Sequence, residues 1–452
     1  MHNIVVAHWL RKLIIISAFL ILPLSDALAV PVIPGATGFG MDTPAGRGGK
    51  VYKVTNLNEA GSGSLAECAT ASGPRVCVFE VSGTIRLDRD LRIRDPYITI
   101  AGQTAPSPGI TIRGAALRVE TSHVLIQHVR LRPGGDEDGH PPLTRDGLKI
   151  FAANTDDFVT NVVIDHVSVS WSTNVLAETR MNVGDVTIRN SIFSEPMHDS
   201  VHPKGPHGYG PLFIGYDKAR VSVINNIIAH GVERNPRTAT NLYFANNLVY
   251  NWRDRGTEIF NRYGRPSKTS LIGNVYKPGR DTGSTRGIVI QPNRGNEDLW
   301  MVKGSQVYLE DNRGPGYSAS DPWSMVINNA DDWVKASSPP IAVPGFRPMP
   351  ATEVEKHVLV NAGARPVDRD SVDERVIRDI ANGQGRIVDS QNDVGGWPNL
   401  PVNRRPLTLP SNPNSDSNGN GYTNLEEWLH AFAASVEGAA TAPRPPTGLT
   451  VQ

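Results

Sequence analysis

The chain has 452 residues, room for two or three average domains or one long repeat domain. With 39% apolar residues and 43 glycines its composition is that of a globular protein, which excludes disorder as the overall state. Basic and acidic residues balance at 45 each, and at 43 against 44 without the first 29 residues, which excludes a general nucleic-acid binder; 43 glycines with 35 prolines argue against long helical bundles.

In chain order, Arg11 and Lys12 come first, before a short apolar run from Leu13 to Leu24. Ser25-Asp26-Ala27-Leu28-Ala29 follows, with small residues where a signal peptidase cuts. This predicts a secretory signal peptide over residues 1–29 and a secreted or periplasmic protein. The run is short for a bilayer span, so no membrane attachment is expected after cleavage. Two cysteines follow, Cys68 and Cys77. In an exported chain they can pair across a short loop or remain buried thiols, and their spacing leaves both open.

The middle of the chain repeats a short alternating pattern that closes on His or Asn. It reads VLIQH at Val124–His128, VVIDH at Val162–His166, VTIRN at Val186–Asn190, VSVIN at Val221–Asn225 and LYFAN at Leu242–Asn246, with a weaker SLIGN at Ser270–Asn274. The closing residues follow one another at intervals of 38, 24, 35, 21 and 28 residues. Alternation puts the apolar residues of each unit on one side of a strand. A shared strand with variable spacing suits a stacked coil whose extra residues loop out at a turn. The His/Asn position tolerates a bend and can hydrogen-bond to its own kind on the next rung. The predicted fold is all-β, a right-handed parallel β-helix; a β-sandwich has similar strand spacing but does not need a stacked Asn. KVYKV, RVCVFEVSGTIRL and YITIAGQ extend the coil upstream.

The predicted organisation is a signal peptide over 1–29, a β-helix domain over 30–345, an extension over 346–410 packing on the coil, a calcium loop and helix over 411–434, and a disordered tail over 435–452. Within it, 313–350 reads as loop, and 366–382 as helix through Val372, Val376 and Ile380.

Four clusters can carry chemistry. Asp136, Glu137, Asp138 and Asp146 form the first, Glu178 and Asn182 the second, Lys204 with His202 and His207 the third, and Arg234 with Arg237 the fourth. Equivalent places on neighbouring turns stack about 4.8 Å apart, so these loops can line one groove. Carboxylates and an amide on adjacent turns offer hard oxygen ligands for Ca2+. Lysine and arginines facing that site are destabilising unless an anion lies between them, and an acidic polysaccharide meets that demand. Taken singly, Asp146 can cap a turn and Arg234 or Arg237 can pair with Glu233. Asp165 and His166, at a rung corner, read as structural. Near the C-terminus Asp416, Asn418, Asn420, Tyr422 and Glu427 occupy positions 1, 3, 5, 7 and 12 of an EF-hand-like loop, with Gly421 at 6.

VVIDHVSVSWS, the run Lys204-Gly-Pro-His-Gly-Tyr-Gly and Glu233-Arg234-Asn235-Pro236-Arg237, in that order, resemble the pectate lyases of polysaccharide lyase family 1. AGRGGKVYKVTNLNEAGSGSL near the start is similar too, and ITIAGQTAP and GRIVDSQNDVGGWP resemble the secreted bacterial branch. The resemblance covers roughly residues 32–430. It implies a secreted enzyme that cleaves pectate, an acidic plant cell-wall polysaccharide, by calcium-assisted β-elimination, acting as a monomer. It implies Asp146 and Glu178 as calcium ligands, with Asn182 where an Asp is usual. It implies Arg234 as the base, Lys204 as the substrate-binding lysine counted with it among the catalytic residues, and Arg237 as holding substrate; His207, on the loop of Lys204, is a further substrate-binding candidate. Two alternatives stand beside it. A glycoside hydrolase needs two carboxylates across the bond, which only Asn154–Asp157 offers here, with no carboxylate cluster near the arginines. A noncatalytic polysaccharide-binding coil would keep the groove without Arg234 and Lys204.

Overall fold

The structure is a computed structural model. It describes residues 30–136, 139–154, 156–283, 287–290, 301–327 and 332–438. The expected signal peptide, Glu137, Asp138 and residues 439–452 of the expected tail lie outside the described residues.

Among the described residues the strands form three sheets of ten, nine and eight members, and every pairing between named strands is parallel. Each turn of the coil gives one strand to each sheet. Val162–Asp165 lies in the ten-stranded sheet, Ser168–Ser170 in the eight-stranded sheet and Ala177–Arg180 in the nine-stranded sheet, before Asp185–Arg189 begins the next turn. The molecule is a right-handed parallel β-helix. The alternation seen in the sequence explains its interior. Val162 and Ile164 stack on Val186 and Ile188, then on Val221 and Val223, then on Leu242 and Phe244.

The recurring His or Asn makes the corner after the ten-stranded sheet. His128, His166, Asn190, Asn225 and Asn246 all take left-handed backbone angles, φ 58°, 49°, 48°, 58° and 55°. The last copy departs from the expected register: Gly273 takes the bend at φ 63°, and Asn274 stands one place later. That later place carries the polar stack. Asn226 Nδ2 donates to Asn247 Oδ1 at 3.0 Å, Asn247 Nδ2 to Asn274 Oδ1 at 3.0 Å, and Asn274 Nδ2 to Asn312 Oδ1 at 2.9 Å. All four residues are buried, and the backbone N–H groups of Asn226, Asn247 and Asn274 feed the same ladder. The asparagine stack expected from the sequence therefore exists, displaced by one residue.

Two of the three outer faces are covered. On the ten-stranded sheet, Val32, Ala36 and Met41 of the N-terminal arm pack on Leu125 and Val163, while Leu425, Trp428 and Leu429 of helix Asn424–Glu437 pack on Val76 and Val78. Helices Ala351–Asn361 and Ser371–Ala381 cover the eight-stranded sheet, burying Val354, Val358, Val376 and Ile380 on Ile192, Ile227 and Leu248. The second of these lies within the predicted 366–382 and buries Val372, Val376 and Ile380. Its docking is also ionic: the fully buried Arg132 bonds to both Asp370, which caps the helix, and Asp373.

Asp165 and His166 sit at a corner, as the sequence suggests. His166 Nδ1 is 3.0 Å from Asp165 Oδ2, and the His166 and His128 rings stack at 5.1 Å. His128 Nε2 lies 3.1 Å from Glu437, the last residue of the C-terminal helix, which Gly438 closes in a left-handed turn. That helix also returns to the start of the described chain: Tyr422 Oη donates to Pro31 O at 2.7 Å and Arg47 pairs with Glu426 at 2.9 Å. Cys68 and Cys77 form a disulfide between the short helix Leu65–Ala69 and the strand Arg75–Phe79.

The buried amide ladder yields a stability prediction. Asn247→Leu keeps the bulk but strands the carbonyls of Val223 and Ala245 and both neighbouring amides. The expected loss is roughly 2–4 kcal/mol, read as a lowered urea midpoint.

Candidate active site

Among the described residues no helix or arm packs an apolar face on the nine-stranded sheet, and its outward residues form a largely charged row. One register line runs Arg92, Arg118, Lys149, Glu178, Leu212, Arg237, Glu258, Val289. Strand alternation puts them there. In Leu148–Phe151 and Ala177–Arg180, Leu148, Ile150 and Ala177 join the core, so Lys149, Glu178 and Arg180 face outward.

Asp146, just before the strand that carries Lys149, comes near Glu178 in the middle of this row. Asp146 is buried; Oδ1 accepts the Val175 N–H at 3.0 Å, and Lys149 Nζ lies 2.6 Å from Oδ2. Burial, with Glu178 nearby, pushes the Asp146 carboxyl up to about 6. Lys149 also donates to Thr144 O at 2.9 Å. Glu178 accepts from Arg180 Nε at 2.7 Å. Asn182 stands past the end of that strand, at the turn into the ten-stranded sheet, where its carbonyl accepts the Val159 N–H. The structure thus brings Asp146 and Glu178 together and sets Asn182 around a corner from them.

Arg234 and Arg237 line an open cleft of about 210 Å³ with Arg180, Arg262, Leu212 and Phe260. Arg234 has a left-handed backbone, φ 62°, and its N–H is caught by Glu258 Oε1 at 3.2 Å. Its guanidinium lies 3.9 Å over the Tyr209 ring, and that of Arg237 lies 4.2 Å over Phe260. Glu258 is fully buried; Arg237 Nε is 3.6 Å from it and Arg255 donates to it at 3.1 Å. Glu233 comes within 3.8 Å of Arg234 Nε. Neither Arg234 Nε nor Arg237 Nε closes a hydrogen bond among the described residues. Burial, reinforced by the like charge of Arg237, pulls the Arg234 pKa below its usual value. Glu233 is pushed up by burial and by Glu258.

The loop carrying Lys204 stacks against this cleft. His202 and His207 rings lie 3.6 Å apart, His207 and Tyr209 rings 4.7 Å apart, and Arg234 also lies over Tyr209. His202 Nε2 is 3.3 Å from Leu143 O, which ties the loop to the segment before Asp146. Lys204 is exposed, and its backbone N–H points to His202 Nδ1. Burial keeps His207 below the ordinary imidazole range, with the charges of Arg234 and Lys204 acting in the same direction.

Calcium takes about six to eight oxygen ligands. Asp146 and Glu178 supply two carboxylates, each already closed on a protein cation, so this set does not fit the ion as it stands. The loop over Asp416–Glu427 fits better. The Asp416 carboxylate gathers the N–H groups of Gly419, Asn420 and Gly421, and the Asn418 and Asn420 side chains both reach Glu427 Oε1, at 2.6 and 2.8 Å. Positions 1, 3, 5 and 12 thus converge, with the backbone of Tyr422 at position 7 folded back on Asn420. The helix after the loop runs to Glu437, beyond the 434 expected.

Several site residues escape the motif reading. Arg180 and Arg262 share the cleft, Tyr209 carries Arg234, and Glu258 anchors it. The Glu233–Glu258 pair also corrects the expectation that no carboxylates cluster near the arginines. Arg180 had a signal, since it stands two residues after Glu178 and shares its face.

No family model matches the sequence. Among curated relatives, a probable pectate lyase C of Aspergillus flavus is 30% identical over 449 residues, covering 93% of this chain and 98% of that protein. The chain belongs to the pectate lyases. The Aspergillus oryzae protein of the same description is also 30% identical, over 98% of its length, and that of Aspergillus fumigatus is 29% identical over 95% of its length. These pectate lyase relatives are fungal, whereas two segments had pointed to a bacterial branch. Solved pectate lyases share the fold: one bound to a hexasaccharide aligns at TM-score 0.51 and 12% identity, covering 75% of this chain and 99% of that one. The pectate lyase of Paenibacillus sp. 0602 aligns at TM-score 0.50 and 13% identity, covering 75% and 97%.

The 416–427 loop yields a test. Added calcium should raise the melting temperature, half-maximally at about 0.1–1 mM as in extracellular modules. Asp416→Ala should lose that rise in a calcium titration followed by differential scanning calorimetry.

Proposed function

We propose that this pectate lyase is an exported enzyme that cleaves polygalacturonate by β-elimination at the arginine cleft. Arg11, Lys12, the apolar run after them and Ala27-Leu28-Ala29 support export, as does the Cys68–Cys77 disulfide. The observation that carries the catalytic reading is Arg234. Its guanidinium is half-buried over the Tyr209 ring, with a pKa lowered by burial and by Arg237; its backbone N–H is held by Glu258, and it opens to a cleft rich in positive charge. Such a cleft suits a chain of uronates.

In the reaction the C5–H bond breaks and its electron pair becomes the C4–C5 double bond. The C4–O pair leaves with the glycosidic oxygen, which then takes a proton. The C5 proton is weakly acidic beside a carboxylate, so positive charge around that carboxylate stabilises the enediolate that develops. Arg234 takes the C5 proton. Arginine is ordinarily protonated in proteins, and the burial and like charge at Arg234 act against that. Arg237, held by Glu258 and Phe260, grips a neighbouring carboxylate, and His207 and Lys204 border the same groove. Calcium, where it binds in the 416–427 loop, supports the fold rather than the reaction. The hydrolase alternative is not favoured, because Glu258 is fully buried and engaged and so cannot flank a glycosidic bond.

The deciding experiment incubates purified protein with polygalacturonate and follows ultraviolet absorbance with reducing ends. A lyase raises both, a hydrolase raises only reducing ends, and a binding module raises neither.

Arg234→Lys keeps the charge but loses reach and the planar fork, and kcat should fall about a hundredfold or more. Arg237→Lys should show the reverse balance, a higher KM with a milder loss of kcat. Steady-state kinetics on variants whose circular dichroism is unchanged will separate the two; an Arg234→Lys enzyme with most of its turnover would place the base elsewhere.

The pH dependence has a fixed sign. Lowering the Arg234 pKa brings its neutral, proton-accepting form closer to the working range, and that form grows as pH rises. The rate should therefore climb from neutral into alkaline solution and fall toward acid, in a pH–kcat profile taken under saturating substrate.

A further inference from the structure

The place between Asp146 and Glu178 is already neutralised by the protein. Lys149 Nζ lies 2.6 Å from Asp146 Oδ2 and Arg180 Nε lies 2.7 Å from Glu178 Oε2, so two carboxylates face two fixed cations. Lys149 and Glu178 are direct register neighbours on adjacent strands. A divalent ion entering there would have to displace an ammonium whose side chain is only 6% exposed and which also donates to Thr144 O. Asp146 is equally enclosed, with side-chain exposure of 1%. Arg180 differs: its side chain is 46% exposed, and it lines the cleft that holds Arg234 and Arg237.

Resting on the elimination reading above, we propose that Arg180 supplies the positive charge at the carboxylate of the reacting sugar, in place of a calcium ion. Glu178 holds its Nε and so orients the planar guanidinium, whose fork matches a carboxylate. Lys149 Nζ, 2.6 Å from Asp146 Oδ2, already supplies at that carboxylate the positive charge an ion would bring. The enediolate charge that grows on the sugar carboxylate as the C5 proton leaves is met by a guanidinium that needs no reorganisation. The bonds made and broken are those of the elimination already described, and no further reactant enters.

The test compares initial rates on soluble oligogalacturonates after exhaustive dialysis against EGTA, in excess EGTA and in added calcium, with circular dichroism confirming the fold in each. The rate in EGTA should stay within about twofold of the rate with calcium. Product formed only with calcium would overturn this inference alone. No unsaturated product in any condition would overturn the lyase reading, and this inference with it. As a second arm, Arg180→Ala should lower kcat about a hundredfold with a smaller change in KM, added calcium should not restore it, and Arg180→Lys should recover part of the loss. Wild-type turnover in a folded Arg180→Ala enzyme would overturn the assignment. If that variant does not fold, the chelation experiment on the unaltered enzyme decides.

Discussion

Parallel pairing of one turn on the next sets the charged face of this molecule. Each strand of the nine-stranded sheet meets its neighbour in register, so Lys149, Glu178, Leu212, Arg237 and Glu258 become a row although they are dozens of residues apart in sequence. That register depends on the corners. A left-handed residue at His128, His166, Asn190, Asn225 and Asn246 turns the chain the same way each time, and the buried ladder from Asn226 to Asn312 fixes the height of each turn over the last. A slip of one residue would carry the whole charged row into the apolar interior.

Coverage then decides which face keeps its charged residues. The N-terminal arm and the helices after residue 350 close two sheets with apolar contacts, and Arg132 with Asp370 and Asp373 adds a buried ionic lock. Among the described residues the nine-stranded sheet has no apolar helix or arm over it, and its polar outer rows are bordered instead by the loops that carry Leu143 and His202. Its basic groups are tolerated through Glu178, Glu233 and Glu258, which sit under or between the arginines. The acids therefore serve the cations here as much as the reverse.

Much of the coil is visible in the sequence, since alternating Val and Ile with a recurrent polar corner has one economical solution. The bend residues from His128 to Asn246 come out directly. Asn274 misleads because a glycine before it takes the bend and leaves the asparagine to the ladder. The candidate cleft is legible where it lies in contiguous motifs, as at Arg234, Arg237, Lys204 and His207. It is not legible where strands bring distant residues together: Glu258 reaches Arg234 across a turn, and Tyr209 meets it by stacking. Pairings between charged side chains are hidden too. The sequence shows Asp146, Lys149, Glu178 and Arg180 as four separate charges, and only register makes them two closed pairs.

The return of the C-terminal helix to the first turns changes the character of the coil. A solenoid whose turns touch only their neighbours can fray from either end, one turn at a time. Here Glu426 reaches Arg47, Tyr422 reaches Pro31, and Leu425 and Trp428 cover Val76 and Val78. The last helix is thus a clasp on the earliest rungs, and the array is fastened near both ends of the described chain. Loosening the first turn requires releasing the last helix, which couples local opening to the whole molecule. The same clasp delays completion during synthesis, because the first turns have their cover only when the end of the chain has emerged.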